Sequence, residues 1–148
     1  MDVVLVDSAH EEYVRRAPAS ALEERARSLR ERRAAYEKDR SNGTLKASVA
    51  WWEAQFGEWE LEDLADAVPP GRRRIDVPLV VITAGKRTKP AWRSEEAHTA
   101  LVALLEELQR ELASRSPKSE HLHSGTGHYV HADQPAIVID AIRRVASQ

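Results

Sequence analysis

Four aliphatic residues, Val3 to Val6, open the chain and stop at Asp7. The run is too short for a helix and apolar on both faces, the pattern of a strand in a parallel sheet. Pro78 to Thr83 (PLVVIT) repeats it and breaks at Ala84-Gly85. Between these strands, residues 11 to 70 read as helical and highly charged. Ala19 to Lys38 carries a narrow apolar row at Leu22, Ala26, Leu29 and Tyr36. A turn at Ser41-Asn42-Gly43 precedes a helix beginning near Thr44, with Leu45, Val49, Trp52 and Phe56 on one face. Pro69-Pro70-Gly71 ends the stretch, and Arg72 to Arg74 lead into the second strand. A plain crossover needs only about a dozen residues, so this segment reads as an insertion.

Ser94 is placed to cap the next helix, with Glu95 and Glu96 suited to the positive end of its dipole. Ala97, Leu101, Leu104, Leu105, Leu108 and Leu112 form its buried stripe to about Ser114, and Pro117 ends it. A short, weak strand over Glu120 to His123 leads to the loop Ser124-Gly125-Thr126-Gly127-His128. Pro135 fits the first turn of a last helix, whose apolar face is Ile137 or Val138, Ala141, Ile142 and Val145. Helical material alternating with three strands predicts an α/β fold with a parallel sheet.

Composition narrows the function. The 148 residues carry 22 Lys plus Arg and 24 Asp plus Glu, a net charge of −2, which argues against a bulk nucleic-acid binder. At 42% hydrophobic and 31% charged residues the chain is no disordered segment. It has no apolar run long enough to span a membrane and no N-terminal signal. With no Cys, thiolate metal sites, disulfides and thiol nucleophiles are excluded, and a cytoplasmic setting is expected.

Four of the six His crowd into residues 121 to 131: His121, His123, His128 and His131. Two chemistries compete for them. His128, flanked by Gly127 at the end of a strand, can serve as a general base. Alternatively, His121 and His123 share one face of a strand and, with His128 or His131, can hold a metal.

Ser124-Gly125-Thr126-Gly127-His128-Tyr129-Val130-His131-Ala132-Asp133-Gln134-Pro135, with the following Ala136 to Ile142, resembles the C-terminal signature of α/β-hydrolase-fold enzymes. Val4-Leu5-Val6-Asp7-Ser8-Ala9-His10-Glu11 resembles the strand after that family's nucleophile helix. Pro78 to Gly85 resembles the next core strand, and the charged insertion resembles the helical cap. The resemblance implies a partial α/β-hydrolase fold, with residues 1-10 and 75-148 as the C-terminal part of the core and 11-74 as the cap. It implies hydrolysis of an ester- or amide-type bond of a small molecule by Ser-His-Asp chemistry. Neither cofactor nor metal is called for, nor any nucleic-acid or membrane partner.

His128 would then be the catalytic base. The acid usually follows the strand matching Pro78 to Thr83, but the loop Ala84 to Arg93 has no carboxylate. Some members carry it after the preceding strand, where this chain has Asp7, so Asp7 is the expected partner. Asp133 reads as a helix cap, Asp76 lies at the wrong end of its strand, and Asp140 sits within a helix. His10 could line the pocket.

No Gly-x-Ser-x-Gly elbow occurs in the sequence. A chain lacking the nucleophile is expected to be inactive alone and to self-associate through an open sheet edge. A non-catalytic binding or regulatory module keeping cap and pocket is the alternative, and a His-based metal site is the third reading. Trp52 reads as core, Trp51 and Trp59 as a pocket roof in the cap, and Arg72 to Arg74 as a solvated approach to the strand.

Overall fold

The computed structural model describes residues 3–7, 13–56 and 74–147, with the side chains of Val14 and residues 50–56 excepted. The chain divides into two compact units. One comprises Met1–Tyr13, Pro70–Lys89 and Val102–Gln148; the other comprises Val14–Pro69 and Pro90–Leu101.

The first unit is built on a parallel sheet of β1 (Val3–Val6), β2 (Leu79–Ala84) and β3 (Ser119–Ser124), in the order β1-β2-β3. Val3 pairs with Leu79 and Leu79 with Ser119, so the ladder runs straight across the three strands. Every residue of β2 is buried, which is why its sequence is apolar on both faces. β1, at an edge, is half-buried throughout.

Alternation along the strands sorts the apolar side chains into two cores. Val80, Ile82 and Ala84 pack with Val130, Ala141 and Val145, covered by Val4, Val6, Leu122, Ile137 and Val138. Leu79 and Val81 pack on the other side with Leu112 and Ala113, alongside Val3, Leu5 and Ile75.

Among the described residues the helices are α1 (Tyr13–Arg16), α2 (Ala19–Lys38), α3 (Gly43–Phe56), α4 (Glu95–Ala113), α5 (Val130–Asp133) and α6 (Pro135–Ala146). Ser94 caps α4 as its sequence predicts, its Oγ accepting the Ala97 N–H at 3.2 Å. Ala97, Leu101, Leu104, Leu108 and Leu112 are buried along it, while Leu105 is half-buried. Asn42 caps α3 by accepting the Leu45 N–H at 3.0 Å.

Two local readings change. In α2 the buried residues are the small Ala21 and Ser28, and the predicted row of Leu22, Ala26, Leu29 and Tyr36 is only half-buried. Asp133 does not cap α6: it closes α5, and Gln134 occupies the capping position without a side-chain cap bond. Pro135 does take the first turn of α6. Among the described residues no helix is long and apolar enough to cross a membrane.

A candidate acid–base site at the strand ends

β1, β2 and β3 end on the same side because the sheet is parallel, and their carboxyl ends deliver three loops to one place. Asp7 is the first residue after β1. Its N–H still donates to Ile82 O at 2.7 Å, which holds the backbone on the ladder. Its φ of 42° then turns the chain into the left-handed region, which Asp enters more readily than most non-glycine residues. The turn directs the carboxylate across the sheet: Oδ1 accepts the Ala84 N–H at 3.2 Å.

β2 continues into Gly85, whose N–H donates to Ser124 O at 3.0 Å; Lys86 N–H donates to Thr126 O at 2.9 Å. The loops after β2 and β3 are thereby laced together. The Ser124 and Thr126 hydroxyls lie 3.2 Å apart, and Gly125 N–H donates to Gln134 Oε1 at 3.0 Å. Val130, fully buried, anchors the far end of this loop. Between these fixed points stands His128.

The structure brings the two sequence-selected residues together. His128 Nδ1 lies 2.6 Å from Asp7 Oδ2. Only 2% of the Asp7 side chain is exposed, against 65% of that of His128. A buried, oriented carboxylate thus meets an imidazole open to solvent.

Arg87 completes the group, and the sequence had not singled it out. Its Nη1 donates to Asp7 Oδ2 at 2.8 Å and its Nη2 to Oδ1, a two-pronged ion pair. The available signal was a basic residue in the acid-free loop after β2, at the same sheet end as Asp7. Burial by itself raises the Asp7 carboxyl. The hydrogen bonds from Arg87 and His128, the Arg87 charge and the Ala84 N–H outweigh it and hold Asp7 below its ordinary 3.8. Asp7 is therefore ionised at neutral pH, so the proton in its bond to His128 resides on Nδ1.

That depression has a consequence for stability. A carboxylate whose folded pKa lies below its unfolded value stabilises the fold above the unfolded pKa of 3.8, and this contribution is lost as pH falls through the lower folded value. Urea unfolding from about pH 5 downward is expected to show a steeper loss in the native chain than in Asp7→Asn. Parallel curves for the two proteins would contradict the coupling.

His121 and His123 form a separate constellation on β3. Their rings stack obliquely, with centroids 4.5 Å apart at 41°. His121 Nε2 lies 2.7 Å from Thr83 Oγ1, and His123 Nε2 lies 2.8 Å from Glu106 Oε1 of α4. Burial, then the neighbouring His123, pushes the His121 imidazole below its ordinary 6.5. The group that joins these histidines is Glu106, where sequence spacing had suggested His128 or His131. Glu106 is 17 residues from His123, and only the packing of α4 on the sheet reveals it. His131 is exposed on α5, and its ring meets that of Tyr129 edge-on at 6.3 Å.

The remaining candidates lie elsewhere. Asp76 pairs with Arg74 before β2, and Asp140 is exposed beside Arg143 on α6. His10, Trp59, Arg72 and Arg73, and the side chains of Trp51 and Trp52, lie outside the described residues. Comparison with protein-family models, curated proteins and solved structures finds no match to the chain.

Proposed function

We propose that Asp7 and His128 are the acid and base of an α/β-hydrolase-type site that cleaves an ester- or amide-type bond of a small molecule. The observation that carries this reading is the 2.6 Å approach of His128 Nδ1 to the ionised Asp7 carboxylate. With the proton fixed on Nδ1, the Nε2 lone pair is left to take a proton from a nucleophile. Asp7 then stabilises the imidazolium that forms, and His128 returns the proton to the leaving group.

In this reading the chain is the C-terminal part of the fold, with residues 11–74 as the cap, and works in the cytoplasm. Because the sequence has no Gly-x-Ser-x-Gly elbow, the pair serves a serine that these 148 residues do not carry. The chain alone forms no acyl-enzyme. The outer edges of β1 and β3 have no strand neighbour among the described residues, which supports self-association there.

A second reading, a binding module without catalysis, is favoured by Arg87. A guanidinium clamped on Asp7 already offsets the charge that would otherwise stabilise an imidazolium.

The two readings separate with an activated ester, p-nitrophenyl acetate, which an imidazole attacks without help from serine. If His128 is a poised base, His128→Ala lowers the hydrolysis rate at least about tenfold, a modest threshold beside the roughly 10²–10⁴-fold that a positioned base contributes. Asp7→Asn lowers it in the same direction, while His131→Ala leaves it unchanged. Equal, small losses for His128→Ala and His131→Ala would leave only the binding module.

A further inference from the structure

We infer that Glu106, His121 and His123 form a binding site for a divalent transition-metal ion, best matched by Zn2+. The site uses no residue of the acid–base pair and stands independently of the hydrolase reading.

The placement follows from strand geometry. Residues two apart on a strand share a face, so His121 and His123 project together. The side chains of Leu79 and Val81 set that face as the one covered by the end of α4, and Thr83 shares it. Glu106, six residues before Leu112 on α4, brings a carboxylate to the imidazoles. One ligand atom from each of the three residues lies within 4.8 Å of the other two.

The donor set defines the ion. Two imidazoles and one carboxylate suit Zn2+, Co2+, Ni2+ or Cu2+, whereas Mg2+ and Ca2+ prefer oxygen donors. Zn2+ holds imidazole nitrogen and carboxylate oxygen at about 2.0–2.2 Å, so donors around it lie about 3–4 Å apart. His123 Nε2 and Glu106 Oε1 are already 2.8 Å apart and need to open slightly, while the widest separation needs to close by about 1 Å. Both side chains have room to rotate, His123 being 51% and Glu106 37% exposed. The ion would replace the proton that His123 and Glu106 now share.

Thr83 gives the site an outer layer. It is buried on the central strand, and its hydroxyl lies 2.7 Å from His121 Nε2, which fixes the ring orientation. Metal-binding histidines are commonly oriented in this way through a hydrogen bond at the ring. Three protein ligands leave a fourth tetrahedral position for water, as in open zinc sites.

The test is calorimetric titration of ZnCl2 into the full chain, free of any histidine tag and stripped of metal by chelation. One ion per chain is expected, with no heat from MgCl2. His123→Ala and the shape-conserving Glu106→Gln each weaken binding at least about tenfold, and Thr83→Val weakens it about 10–100-fold. His131→Ala leaves it unchanged, and circular dichroism of each variant establishes that the fold persists. Absence of Zn2+ binding to the folded native chain overturns the assignment. So does binding that Glu106→Gln and His123→Ala leave intact, or that His131→Ala weakens as much as they do.

Discussion

Replacing Asp7 with alanine is expected to cost about 2–4 kcal/mol of folding stability, with a midpoint shift on the order of 5–15 °C. The carboxylate is buried and takes hydrogen bonds from Ala84 N–H, Arg87 and His128. Its removal takes the two-pronged carboxylate partner from the Arg87 guanidinium, whose side chain is only 19% exposed. Removing one member of a buried ion pair costs about 3–5 kcal/mol, and the lower range applies here because Arg87 can still reach water. The Ala84 N–H also loses its acceptor, and alanine tolerates the φ of 42° less well than aspartate. Asp7→Asn keeps the turn preference and an acceptor for Ala84 while removing the charge, so it should fall between the two. Urea denaturation of the three proteins measures the order native, Asn, Ala; equal stability of the native chain and Asp7→Ala would remove Asp7 as an organising residue.

Gly85→Ala is expected to cost at least about 2 kcal/mol and to disturb the His128 loop as well. The glycine is required for space, since its φ is not positive. A Cβ there would lie deep within contact distance of the Ser124 carbonyl oxygen, the same oxygen that accepts the Gly85 N–H. A backbone oxygen in a strand cannot rotate away as a side chain can. Either β3 or the end of β2 must shift, and Ser124 begins the loop that carries His128. Thermal unfolding reads the stability loss, and the His128 imidazole resonances read the change in the loop. By contrast, a methyl at Gly43 would meet nothing within 4 Å, so Gly43→Ala serves as the comparison. If both variants unfold at the same temperature, the lacing of β2 to β3 does not hold the loop.

How far the sequence carried the reading depended on whether the physics was local. Val3 to Val6 and Leu79 to Ala84 were legible because a strand buried on two faces must be apolar on both. The α4 stripe and its Ser94 cap were legible because both follow from the 3.6-residue period and the first free N–H groups. β3 was faint: Leu122 is its one aliphatic residue, and it is a strand because β2 offers it a parallel edge. Asp7 and His128 could be paired from motif order, and they meet across 121 residues of separation. Arg87 and Glu106 could not be selected, because a charged residue in a loop or on a helix surface looks solvated until its partner is known. The α2 face is not legible in the sequence because hydrophobicity marks Leu22, Leu29 and Tyr36, whereas the small Ala21 and Ser28 are the ones covered.

Asp7 is expected to hold His128 with its proton on Nδ1 and to leave Nε2 as a base. Free histidine in its neutral form favours the proton on Nε2, so the two arrangements are distinguishable. Nitrogen-15 shifts and proton couplings of the His128 ring, recorded above its titration, report the tautomer directly. The Nδ1–H form is expected in the native chain, with a shift toward Nε2–H in Asp7→Asn. An Nε2–H form in the native chain, or a tautomer unchanged by Asp7→Asn, would contradict it.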